Sequence, residues 1–244
     1  MENKRLLFLG DIHGKYYVIT DLVNLYDIRN ANIIQVGDFG IGFRDFEIDY
    51  ELLSLVNDDL VDRDIYLYAI RGNHDYKPYF DNDPFGFSNI TFVKDYSVIN
   101  ISSKSILFMG GAISIDRVRR IVDNSNSDKK SWWSDESFEL DEKLLSNIEG
   151  VDTIISHTAP TYCYPDNTNG YSPLVNVLSI DDDMLKTDLH TERYLMSEAF
   201  NIIKKKNKIT NHYYGHYHTS KVSEMDGITH HLLGVDELYE EYGK

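Results

Sequence analysis

Apolar residues recur along this chain in two rhythms. Short, turn-bounded runs rich in β-formers occupy Arg5–Leu9, Ile33–Val36, Ile65–Ile70, Ser105–Met109, Thr153–Ser156, His212–Tyr214 and Ile228–Leu233, and their length predicts strands. Between them, Tyr16–Tyr26, Phe46–Asp58, Phe138–Ile148 and Arg193–Lys206 place apolar residues at helical spacing. Strands alternating with amphipathic helices predict an α/β fold. The stretch Tyr164–Thr191, which contains the run Asp181–Asp183, has no clear period and is expected to form a long loop or lid. Most predicted strands end at a short block of glycine and polar residues. In open α/β sheets, sites form beyond the carboxyl ends of strands, so these blocks are where chemistry is expected.

Five blocks stand out: GDIHG, GDFG, GNHD, SHTAP and GHYH. They supply Asp11, His13, Asp38, Asn73, His157, His216 and His218, all oxygen or nitrogen donors that metals prefer. In an extended strand end, residues two apart project to the same side, so Asp11 with His13, and His216 with His218, can converge on one centre. Asn73 and His74 then point differently, which suits a metal-binding amide oxygen beside a histidine free to meet a substrate. Asp38 has two carboxylate oxygens and can bridge two cations, lowering their mutual repulsion. A set without cysteine suits Mn²⁺ first, with Fe or Zn²⁺ also compatible, and not a thiolate structural zinc.

Composition narrows the field. Because the donors run from Asp11 to His218, both ends of the 244-residue chain must converge, which predicts a single domain over 1–244. Twenty-four basic against 40 acidic residues give a net charge of −16, which disfavours long-range attraction to nucleic acid or an anionic membrane. Two divalent ions would restore positive charge locally, leaving a small phosphorylated substrate as the expected partner. Cys163 is the only cysteine. It allows no internal disulfide, fits a reducing compartment and reads as a small inert side chain. The start of the chain has neither a secretory pattern nor a span-length apolar run, so a cytoplasmic protein is expected. His190, His212, His230 and His231 lie outside the blocks and read as surface or core histidines.

In order and content, the five blocks resemble the D-x-H, GD, GNH, distal H and GHxH blocks of calcineurin-like metallophosphoesterases, over Gly10 to His218. The resemblance implies a four-layer αββα sandwich of two mixed β-sheets flanked by helices. It implies one metal on Asp11, His13, Asp38 and His218, and a second on Asp38, Asn73, His157 and His216. His74 matches the position that faces the substrate and would protonate the departing oxygen. The implied activity is metal-dependent hydrolysis of a small, nucleotide-like phosphomonoester or phosphodiester by attack of a metal-bridging hydroxide.

Departures from subfamily patterns refine this reading. Serine/threonine phosphoprotein phosphatases, an alternative, carry GDxxDRG where Ile41 and Gly42 stand here, and GNHE where this chain has GNHD. Asp75 and Asp45 are candidates to orient His74, and Arg44 is a candidate phosphate ligand. The run Gly110–Arg117 resembles one in small bacterial and phage metallophosphoesterases, and makes Arg117 a candidate bidentate clamp on an oxyanion. Arg119 and Arg120 read as solvated charges. Trp132 and Trp133 read as core side chains or as a stacking surface for a base. A noncatalytic scaffold on the same fold is a further alternative, opposed by retention of all seven donors and His74.

Overall fold

The computed structural model describes residues 4–126, 130–165 and 171–241. Eleven strands among them form two mixed sheets. The first contains β1 (Arg5–Leu9), β2 (Ala31–Gln35), β3 (Ile65–Ala69) and β4 (Ile90–Phe92) in parallel, with β11 (Leu238–Glu241) antiparallel at the β1 edge, in the order β11-β1-β2-β3-β4. The second runs β5-β6-β7-β8-β10-β9. Its parallel centre is β6 (Lys104–Met109), β7 (Thr153–Ser156), β8 (Asn211–Tyr214) and β10 (Ile228–Leu232), and its antiparallel edges are β5 (Val98–Ile101) and β9 (Lys221–Met225).

Alternate residues of each strand face opposite layers, which explains why these strands read as continuous apolar runs. Leu6, Phe8, Ile34 and Val36 meet Ile106, Phe108, Ile155 and Tyr213 between the sheets. Their neighbours Leu7, Leu9 and Ile33 pack outward with residues of α1 (Tyr17–Leu25) and α2 (Phe46–Asp62). On the far side, Leu107 and Ile154 pack against Met196, Ala199, Phe200 and Ile203 of α7 (Leu185–Ile203). The result is the expected helix, sheet, sheet, helix sandwich. No helix among the described residues is long and apolar enough to cross a membrane.

Two expectations need correction. The helix anticipated over Phe138–Ile148 shrinks to α5 (Glu142–Leu145), with Asp141 accepting a hydrogen bond from the Leu144 amide at 2.8 Å. Phe138 and Leu140 reach the α7 core from non-helical chain before that cap, so their apolar spacing reflects a tertiary contact. The segment expected as a loop from Tyr164 to Thr191 instead contains α6 (Tyr171–Leu178) and the first turns of α7, which begins at Leu185 and not at Arg193. Val175, Leu185 and Leu189 pack on Ile113 and stabilise these helices. Residues 166–170 of that expectation lie outside the described residues. Helices α3 (Lys77–Asn82) and α4 (Arg117–Asn126) were not expected; α4 buries no residue completely, so it carries little apolar signal.

Candidate metal centre

Loops leaving the carboxyl ends of five strands converge on one place: β1 delivers Asp11 and His13, β2 Asp38, β3 Asn73 and His74, β7 His157, and β8 His216 and His218. These loops turn sharply. His13, Asp38, His216 and His218 all have positive φ, at 47°, 54°, 73° and 51°, a region that non-glycine residues occupy at a cost. Neighbouring glycines make the approach possible. A Cβ on Gly72 would lie 2.2 Å from Asp38 Oδ1, and one on Gly215 would lie 2.2 Å from Asp11 Oδ1, so any side chain there would displace a candidate ligand.

The donors fall into two sets that share one residue. Asp11, His13, Asp38 and His218 each offer an atom within 4.8 Å of the others, and so do Asp38, His157 and His216. Asn73 joins the second set, its Oδ1 lying 2.9 Å from His216 Nδ1 and 3.2 Å from His157 Nε2. His157 Nε2 lies 3.1 Å from Asp38 Oδ1.

Surrounding groups fix these orientations. His157 Nδ1 lies 2.8 Å from the Val36 carbonyl and donates to it, leaving Nε2 to face the cluster. Asn73 Nδ2 donates to Ser114 Oγ at 2.9 Å, and Ser114 Oγ donates to Glu136 Oε2 at 2.6 Å. This relay turns the Asn73 oxygen inward. Glu136 is buried, and burial pushes its carboxyl up to about 8.

Electrostatics and contacts fit a cationic guest. Burial pushes the Asp11 carboxyl up to about 8. Asp38 is held well below the carboxylate range, because the imidazoles of His157, His74 and His13 outweigh its burial. Burial keeps His216 well below the usual imidazole value, in the neutral form that binds metals. His13 Nε2 and His218 Nε2 face each other at 3.0 Å, and His216 Nε2 is buried without a hydrogen-bond partner among the described residues. Two buried carboxylates ringed by imidazole nitrogens are a costly arrangement that cations between them would relieve. The donor set could therefore hold two divalent ions with Asp38 between them.

His74 sits beside this cluster, its amide donating to Asp38 Oδ1 at 2.9 Å. Burial pushes its ring down to about 4. Asp75 does not orient it: the Asp75 carboxylate accepts from the amides of Phe39, Gly40, Ile41 and Gly72, pinning the GDFG loop to GNHD. Asp45 is exposed at the start of α2. Arg44 donates to the Gly14 carbonyl at 2.9 Å. Arg117 is held by Asp182 and Asp188, at 2.5 and 2.6 Å, which occupies the guanidinium proposed to clamp an oxyanion. By contrast, the charge of Arg120 reaches His13, His74 and His218 and disfavours their protonation. Trp133 is buried and stacks on Phe43 at 6.1 Å, while Phe43 lies 6.0 Å from His74. Sequence reasoning passed over Ser114, Glu136 and Phe43. Only Ser114, inside the Gly110–Arg117 run, carried a local signal.

Comparisons with known proteins agree with this geometry. The sequence model of the family described as calcineurin-like phosphoesterase matches residues 4–220. No curated protein gives a match. Among solved structures, the fold is similar to a dimetal phosphatase from Danio rerio, with 10% identity over 96% of this chain and 88% of that one, at a TM-score of 0.53. It is also similar to a putative 5'-nucleotidase from Staphylococcus aureus solved with alpha-ketoglutarate, with 12% identity, 96% of this chain covered and a TM-score of 0.51. The match spans 49% of that longer protein. At such identities the likeness concerns the fold alone.

Proposed function

The chain belongs to the calcineurin-like phosphoesterase family, and from that premise we propose that it is a binuclear metal-dependent hydrolase of small, nucleotide-like phosphoesters. The observation that carries the reading is Asp38, whose two oxygens serve both donor sets. Divalent ions at such a centre, Mn²⁺ first among the candidates, would lower the pKa of water and neutralise charge developing on phosphoryl oxygens. The chain's own residues do the rest. Asp11, His13 and His218 would hold one ion, and Asn73, His157 and His216 the other, with Asp38 common to both. His74 delivers a proton to the departing oxygen. Burial holds its ring down to about 4, and the negative charge of a bound phosphoester would raise it toward the proton-carrying form that an acid needs. Arg120, paired with Asp116 alone where Arg117 is paired with both Asp182 and Asp188, supplies positive charge for a phosphate oxygen. The Phe43 ring beside His74 offers a face to a base.

One experiment tests both class and metal dependence. Metal-reconstituted wild type and Asp38→Asn are compared on p-nitrophenyl phosphate, bis-p-nitrophenyl phosphate, nucleotides and a phosphopeptide. Wild type should prefer the small esters, and Asp38→Asn should lose activity by at least about 10²–10³-fold, the scale seen when a main charge-stabilising group is removed. Full turnover and metal content in the variant would overturn the shared-ligand assignment. Preference for the phosphopeptide would favour the phosphoprotein phosphatase reading, and inertness on every ester with metal bound would favour a scaffold.

A further inference from the structure

A second cluster of metal-binding side chains lies away from the strand-end loops. His212 of β8 and His230 of β10 are directly paired in register across adjacent parallel strands, and both rings are completely buried. They project to the outer face of the second sheet, where His212 lies 4.9 Å from the Phe200 ring of α7. Cys163, on the loop that follows β7, brings its sulfur to the same point, so that the three donor atoms lie within 4.8 Å of one another. Tyr214 secures that loop by donating to the Cys163 carbonyl at 2.7 Å.

The hydrogen bonds specify which imidazole nitrogen is free. Ser156 Oγ donates its single proton to the Thr158 carbonyl at 2.6 Å, so at 2.7 Å from His212 Nε2 it must accept. His212 therefore carries its proton on Nε2 and presents the Nδ1 lone pair; a hydrogen bond from the far ring nitrogen is what orients histidine ligands. That lone pair accepts from His230 Nδ1, 2.9 Å away, so a single proton separates two ring nitrogens that could otherwise share an ion. The other nitrogen of His230 is buried with no partner among the described residues. Burial holds both rings well on the neutral side, His230 down to about 4.

We propose that Cys163, His212 and His230 form an additional metal site, binding one thiolate-preferring ion such as Zn²⁺ through Sγ and two Nδ1 atoms. Two imidazoles and a thiol suit a softer ion than the carboxylate and amide set at Asp38. On binding, the S–H bond would break with sulfur keeping the electron pair and its proton passing to solvent, while the His230 ring proton would move from Nδ1 to Nε2, freeing both Nδ1 lone pairs for the ion. No redox change is involved. The ion would staple β8, β10 and the loop after β7, and two of these lead directly to His157, His216 and His218. Its role is to hold those loops in place from behind the sheet.

Cobalt separates this site from the one at Asp38, because only a thiolate ligand gives an intense sulfur-to-cobalt charge-transfer band. Chelator-stripped, reduced protein is titrated anaerobically with Co²⁺, and bound metal is counted in parallel. Wild type should show the band, and Cys163→Ser should lose both the band and one equivalent of metal while keeping the metal bound at Asp38. His230→Gln, with the thiol intact, should weaken uptake at the same equivalent, and it decides the matter if Cys163→Ser does not fold. A wild type that fills the Asp38 centre without any charge-transfer absorption overturns the proposal. Conversely, a wild type with the band but no other bound metal would overturn the binuclear reading and leave this one standing.

Discussion

The two donor sets that share Asp38 are built differently. The inner one is sealed: the side chains of His157 and Asp38 are 0% and 2% exposed, and Asn73 and His216 are buried. Two of the inner donors are aimed by specific partners, the Val36 carbonyl for His157 and the Ser114–Glu136 relay for Asn73. The outer one opens to solvent at His218, whose side chain is 54% exposed, and at His13, 24% exposed. The polar contacts of the outer histidine rings are each other, at 3.0 Å, and the carboxylates of Asp38 and Asp11, at 3.8 and 3.5 Å. The contrast teaches that the inner geometry is set by the fold before any ion arrives, whereas the outer geometry depends on the ion itself.

This contrast can be broken or sharpened by experiment. The largest effect is expected at His74, between the two sets. His74→Ala should lower kcat on an alkyl phosphate by about 10²–10⁴-fold, and far less on p-nitrophenyl phosphate, whose anion leaves without a proton. Equal losses on both esters in steady-state assays would remove the general-acid role. Next in size is Ser114→Ala, which frees the Asn73 amide to rotate. It should weaken one of the two ions by about 10–100-fold, the usual cost of losing an outer-shell partner. Calorimetric titration should find the second ion unchanged, and weakening of both would mean the sets are not independently built.

A subtler difference concerns exchange. On addition of a chelator, one ion should leave in a fast phase and the other in a slow phase, and His218→Ala should abolish the fast phase alone. A single phase in the wild type would contradict the inner and outer distinction.

The smallest effect on activity, but a visible one on stability, is expected at Glu192. Burial pushes this carboxyl from an ordinary 4.5 up to about 7, with Thr158 donating to it at 3.1 Å. Because the folded form binds the proton more tightly than the unfolded one, its stabilising contribution is present below about pH 4.5 and is lost as pH rises through about 7. Glu192→Gln removes that dependence, so its Tm should gain on wild type by the equivalent of about 1–3 kcal/mol between pH 5 and pH 8. A pH-independent difference in thermal melts would rule out this titration as the cause.

The five blocks were legible because their chemistry is local. A glycine beside Asp38 or His216 permits a sharp turn, and donors two residues apart face the same way whatever surrounds them. The central strands were legible for a similar reason: being buried on both faces, they read as uninterrupted apolar runs. Edge strand β9 and helix α4 were not, since exposed elements have no reason to carry an apolar pattern. The helix missed before Arg193 and the helix wrongly extended from Phe138 share a cause. In both places apolar residues answer to partners distant in sequence, Ile113 for one and the α7 core for the other.

By itself, the sequence determined the family and the α/β layering and singled out the candidate donors that the fold brings together, because strand periodicity and block chemistry are properties of a few adjacent residues. Tertiary structure alone decided that Arg117 is tied down by Asp182 and Asp188, and that Ser114 and Glu136 aim Asn73. It also decided that Cys163 meets two histidines from strands nearly fifty residues or more further along the chain. Such pairings depend on which strands lie side by side and which loops fold back over them, and no local pattern encodes that.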